Sequence, residues 1–395
     1  MKPDPKIESQ LAELQKKQAR FAPAELNVDT SKLDPGDQKA LAKLVEAAKV
    51  IDKLFRDDQV WSGNRALREK LAKDTSDLGK ARLRYFDLNQ GPWSDLDDHQ
   101  LFLPAAEFPD VPARKPKGAN FYPADMTTEE FEKWPGKDIG FFSVIRRDNG
   151  ALRAIPFSEA YKNPLIDATT LLHQAAELTT NPSLKEFLMQ RAAAFLTNDY
   201  YQSDVAWMKI DAPIEPTIGP YETYNDELFG YKASFEAYIT LRDDAETAKL
   251  KMFADHLQEI ENSLPLDAKF RNPKIGALAP IRVVNEVIAT GDGAHGVRTA
   301  AFNLPNDERV VREYGSKRVM LKNVQEAKFS KILQPIAARV LGKDDQASLS
   351  FNAFFTHILA HEMTHGIGPQ NNVRASLKEL HSAIEEAKPT SPDSS

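Results

Sequence analysis

The apolar run Phe351-Asn352-Ala353-Phe354-Phe355-Thr356-His357-Ile358-Leu359-Ala360 passes directly into His361-Glu362-Met363-Thr364-His365. Residues four apart on a helix share a face, so the spacing predicts a helix over 349–365 with the two imidazoles one turn apart and Glu362 beside them. Two neutral imidazoles placed in this way can hold Zn²⁺, and the adjacent carboxylate can take a proton from water that the metal activates. The pattern points to a metal hydrolase, most often a peptidase. A match this short also arises by chance on ordinary helices.

The chain has 395 residues, more than one hydrophobic core usually serves, so two lobes are expected. With 42% hydrophobic and 28% charged residues it has the balance of a soluble globular protein. The net charge of −7 and the lack of a basic run argue against a nucleic-acid partner. There is no cysteine, so a metal would have to be held by His, Asp or Glu. No apolar run is long enough to span a membrane. Met1-Lys2-Pro3-Asp4-Pro5 carries no apolar signal core, so a cytoplasmic protein is the default expectation, with an exported form after signal removal as the alternative. The oligomeric state has no signature in the sequence.

Along the chain, residues 1–25 read as a charged tail or a loosely docked helix. A helix begins at Asp34-Pro35-Gly36, with Ala40, Leu41, Leu44, Val45, Ala48, Ile51 and Leu54 at helical spacing. Further helices are predicted near 64–73 and 76–84, then a long irregular stretch over 87–137 with a short helix at 127–133. Asp148-Asn149-Gly150 between two apolar runs predicts a hairpin over 141–155. Helices follow at 158–178 and 182–197, short strands at 205–210, 217–222 and 281–290, and a largely helical stretch at 226–262. The remainder reads as helix at 325–341, 349–365 and 374–388. Pro389-Thr390-Ser391-Pro392-Asp393-Ser394-Ser395 has the composition of a disordered end.

Three segments together resemble the dipeptidyl peptidase III family of zinc peptidases. They are Gly219-Pro220-Tyr221-Glu222-Thr223-Tyr224-Asn225-Asp226-Glu227-Leu228-Phe229-Gly230 with Phe235-Glu236-Ala237-Tyr238, then Phe302-Asn303-Leu304-Pro305-Asn306-Asp307, then the His361–His365 motif with Glu385-Glu386. The resemblance implies a predominantly helical α+β fold of two lobes separated by a cleft. A mixed lobe with short strands (26–240 with 280–324) would face the substrate, and a helical lobe (241–279 with 325–388) would carry zinc. It implies His361, His365 and Glu386 as metal ligands, Glu385 as a carboxylate orienting a ligand imidazole, and Glu362 as general base. Tyr224 would stabilise the tetrahedral intermediate, Glu222 would meet the free amino group of an oligopeptide, and Asn303 and Asn306 would hold its backbone. Taken alone, Tyr224 reads as a strand-end tyrosine, the two asparagines as turn residues beside Pro305, and the Glu pair as a solvated helix face. His357, one turn before His361 on the same face, reads as a packed histidine or one that supports a ligand and not as a ligand itself. Nothing assigns a role to His381 or His295, and Trp207, Tyr200, Tyr201 and Tyr221 read as core or cleft wall. The resemblance also implies a member shortened at its C-terminal end. That leaves open a zinc-dependent peptidase acting near the amino end of oligopeptides, a weakly active peptide-binding module, or a zinc hydrolase of another substrate.

Overall fold

The computed structural model describes residues 4–137, 140–265, 267–271 and 281–364. An N-terminal helix, α1 (Pro5–Gln18), packs on a later helix of the same region, Asp77–Asn89. The helix expected from Asp34 forms as α2 (Pro35–Leu54). Its Asp34 side chain accepts the Asp37 N–H, and Pro35 occupies the first turn, where the missing N–H costs nothing. The apolar positions read from the sequence at helical spacing become one buried stripe, with Ala40, Leu44, Ala48 and Ile51 fully enclosed. That stripe packs against α3 (Lys162–Leu178), which packs in turn on α4 (Pro182–Thr197).

The hairpin forms as β1 (Ser143–Asp148) and β2 (Ala151–Pro156). Asn149 and Gly150 take the two positive φ values, 50° and 86°, that such a turn requires. Two sequence expectations fail. The strand expected at 205–210 is instead a short helix, α5 (Tyr201–Met208), because Ser203 to Trp207 are all buried and a helix enclosed on every side shows no amphipathic period. The stretch 226–262, expected to be helical, contains the strand Phe235–Arg242, and its helix begins at Asp244. That strand is buried along nearly its whole length, so it lacks the polar alternation that would mark it.

The five-stranded sheet consists of β3 (Thr217–Pro220), β4 (Phe235–Arg242), β5 (Ile281–Gly291), β6 (Ala301–Leu304) and β7 (Lys317–Leu321), in the spatial order β3-β4-β5-β7-β6. The β5–β7 pairing is parallel and the others are antiparallel. The sheet curls, so that its two edges approach each other. Lys317 of β7 reaches Glu215, just before β3, at 2.7 Å, and Phe302 of β6 stacks on Tyr238 of β4 with ring centroids 4.6 Å apart. Val284, Val319 and Leu321 belong to the main core with α2. Val283 and Met320 turn to the opposite face and form a second, smaller core with α6 (Asp244–Ser263) and α7 (Phe351–Thr364). The protein is thus a predominantly helical α+β fold with a core on each face of one sheet.

Candidate active site

The helix expected over 349–365 is α7, described as Phe351–Thr364. Phe355 and Leu359 are buried in the smaller core, and Phe351 and Ile358 pack at its margin. Glu362 lies three residues beyond Leu359 and seven beyond Phe355, so it extends this sheet-facing stripe. His361 lies one step around the helix from it and is partly buried, whereas His357 is exposed. His365, Glu385, Glu386 and His381 lie outside the described residues. Among the described residues, no three His, Asp or Glu side chains come together in a way that could hold a metal ion.

Glu362 is held by Arg318 of β7, a residue that no sequence motif singles out. One guanidinium nitrogen, Nη1, donates to the Glu362 main-chain carbonyl at 2.6 Å and lies 2.7 Å from its carboxylate Oε2. In the sheet register Arg318 stands directly opposite Asn303. Paired residues of an antiparallel ladder point to the same face. Asn303 and Arg318 therefore share the face that carries Met320, which is the face α7 covers.

Asn306 lies three residues on. Its Nδ2 donates to the Tyr221 carbonyl at 3.0 Å, at the end of β3 and next to Glu222. The short segment 303–306 thus spans two groups of candidate residues: Glu222 with Asn306 on one side, Asn303 with Glu362 on the other. Glu222 is partly buried, and its carboxyl pKa is raised, first by burial and then by the negative charge of Asp292. Glu236, wholly enclosed on β4, is pushed well above the carboxylate range by burial and by Asp292 and Glu222.

Tyr224 is 82% exposed, so its hydroxyl faces solvent and is not packed as a strand-end tyrosine would be. The loop after it is fixed by Asp226, a second residue missed in the sequence. The Asp226 carboxylate accepts the Tyr122 hydroxyl at 2.7 Å and the main-chain N–H groups of Leu228, Phe229, Tyr231 and Lys232. Lys115 ties the same loop at Glu227 (2.7 Å) and at the Asn225 carbonyl. His99 lies 3.5 Å from Glu227 and 3.3 Å from Asp95. Asp95 is shared with His295, at 3.1 Å. Burial opposes the His295 proton, but the hydrogen bond and charge of Asp95, with Asp292, outweigh it and raise the pKa. The aromatic residues Trp207, Tyr200 and Tyr221 are buried in the main core.

The profile of peptidase family M49 matches residues 154–372. The chain belongs to peptidase family M49. That match contains Glu222, Tyr224, Asn303, Asn306 and the His361–His365 motif, and ends before Glu385 and Glu386. The solved structure of dipeptidyl peptidase III from Caldithrix abyssi superposes with a TM-score of 0.89 at 48% identity, covering 95% of this chain and 73% of that one. Dipeptidyl peptidase III from Corallococcus sp. strain EGB gives 0.82 at 51% identity, with 96% and 72% covered. Nudix hydrolase 3 of Arabidopsis thaliana is 42% identical over 96% of this chain, which spans 57% of that plant protein. No described helix of this M49 member is long and apolar enough to cross a membrane.

Proposed function

We propose that the chain is a zinc-dependent peptidase that releases dipeptides from the amino end of short peptides. The M49 match and the likeness to two dipeptidyl peptidase III structures support this reading. The observation that carries it is the Arg318 contact, which sets Glu362 on the same sheet face as Asn303. The donor chemistry also fits. The Glu362 carboxylate is paired through Oε2 with the Arg318 guanidinium, which supports its reading as base over ligand. His361, His365 and Glu386 are the residues that would hold the ion, with Glu385 orienting one imidazole. When bound, zinc would supply Lewis acidity and lower the pKa of water toward about 7.

In this reading Glu362 takes the proton of the attacking water and passes it to the leaving amine. Tyr224 donates its hydroxyl to the oxyanion as charge develops there, carrying no charge of its own. Asn303 and Asn306 hold the peptide main chain, to which a primary amide offers one acceptor and two donors. Glu222 meets the free amino group, whose positive charge draws its carboxyl back to the ionised form. The test is hydrolysis of a dipeptidyl naphthylamide before and after chelation. Release that the chelator abolishes and added zinc restores is expected. Release indifferent to the chelator, or peptide bound tightly with no release, would overturn the proposal.

A further inference from the structure

We propose that Arg318 is the positioning residue for Glu362, and that its grip sets the reach between the base and the peptide main chain held by Asn303. The proposal rests on Glu362 being the base. A general base works only within hydrogen-bond reach of the proton it takes. A glutamate has three side-chain torsions and, left alone, spreads over several rotamers. Here Nη1 of Arg318 contacts two acceptors of one residue, the carbonyl at 2.6 Å and Oε2 at 2.7 Å, so it fixes the helix backbone and the carboxylate together. Oε2 being engaged, Oε1 is the oxygen that receives the proton.

The root of this grip is rigid. On either side of Arg318, Lys317 is enclosed with Glu215 and the Trp207 carbonyl, and Val319 is buried. Across the ladder Arg318 lies between Ile281 of β5 and Asn303 of β6. Directly opposed antiparallel residues have Cβ atoms about 5 Å apart. The main chain that bears Asn303 and the stem of the arginine therefore share one ladder. An exposed ion pair contributes little, but these side chains are only 25% and 23% exposed, and the pair joins the sheet to the helix that bears the histidine motif.

The experiment compares Arg318→Met and Arg318→Lys, each with Glu362 intact and as Glu362→Gln, by melting temperature, zinc content and dipeptidyl-naphthylamide kinetics. The expected result is a fall in kcat of about 10- to 100-fold for Arg318→Met. KM and zinc content should hold steady, Arg318→Lys should recover part of the rate, and the melting shifts of the two positions should be non-additive. Additive melting shifts, or coupled melting with kcat unchanged in Arg318→Met, would overturn the positioning role while leaving the peptidase reading intact. A wild-type protein that releases no naphthylamine overturns both.

Discussion

Arg191 lies wholly inside the protein, with Nη2 2.6 Å from Asp204 and its guanidinium against the rings of Phe187, Tyr200 and Tyr221. Removing one member of such a pair strands the other charge, so Asp204→Ala should cost about 3–5 kcal/mol of stability in chemical unfolding. Gly219 makes the arrangement possible. At φ 152° a Cβ there would meet Arg191 Nη1 at 2.5 Å, so Gly219→Ala should lose about 1–3 kcal/mol and displace the strand end that bears Glu222. His295 gives a pH signature. Its folded pKa is raised, so its stabilising contribution is complete below the unfolded value near ~6.5 and lost as pH rises through the folded value. Melting temperature followed upward from pH 6 should therefore fall less in His295→Gln than in the wild type; equal slopes would contradict this. The contacts these residues make were not legible in the sequence. The longest contacts of Arg318, Asp226 and Asp95 run to Glu362, Tyr122 and His295 in turn, across stretches of chain that no local pattern marks.

Among the elements, α2 and the hairpin were legible because their signals are local: an Asp-Pro start with a 3.6-residue apolar period, and Asn-Gly between two apolar runs. The strand Phe235–Arg242 and the helix Tyr201–Met208 were not, because both are enclosed on all sides and burial erases the period that distinguishes helix from strand. β6 and β7 also escaped notice. They are four and five residues long, and their apolar positions are interrupted by Asn303 and by Lys317 and Arg318, both of which are ion-paired. Helix α7 lies between these cases. It was read correctly, but its dependence on a core of Leu250, Leu257, Val283, Met320, Phe355 and Leu359 was not visible. Because that core is small, Leu359→Ala should cost about 2–5 kcal/mol. It should also loosen metal binding, which titration with a chromogenic chelator would show as faster zinc loss.

At the scale of the whole molecule, one curled sheet carries the main core on one face and the candidate zinc helix on the other. The segment 303–306 passes from the face under α7 to the end of β3, so residues 140 positions apart, Glu222 and Glu362, are joined through Asn306 and Asn303. The sequence named these residues by resemblance but gave no indication of what connects them. That connection runs through a strand register and one arginine. In the proposed chemistry Glu362 serves as base to an ion held by its neighbours without being a ligand itself. The direct test is zinc content and dipeptide release measured together in Glu362→Gln. Zinc retained at the wild-type stoichiometry with release reduced by about 10²-fold or more is the predicted result. Zinc lost in parallel with activity, or release unchanged, would contradict it.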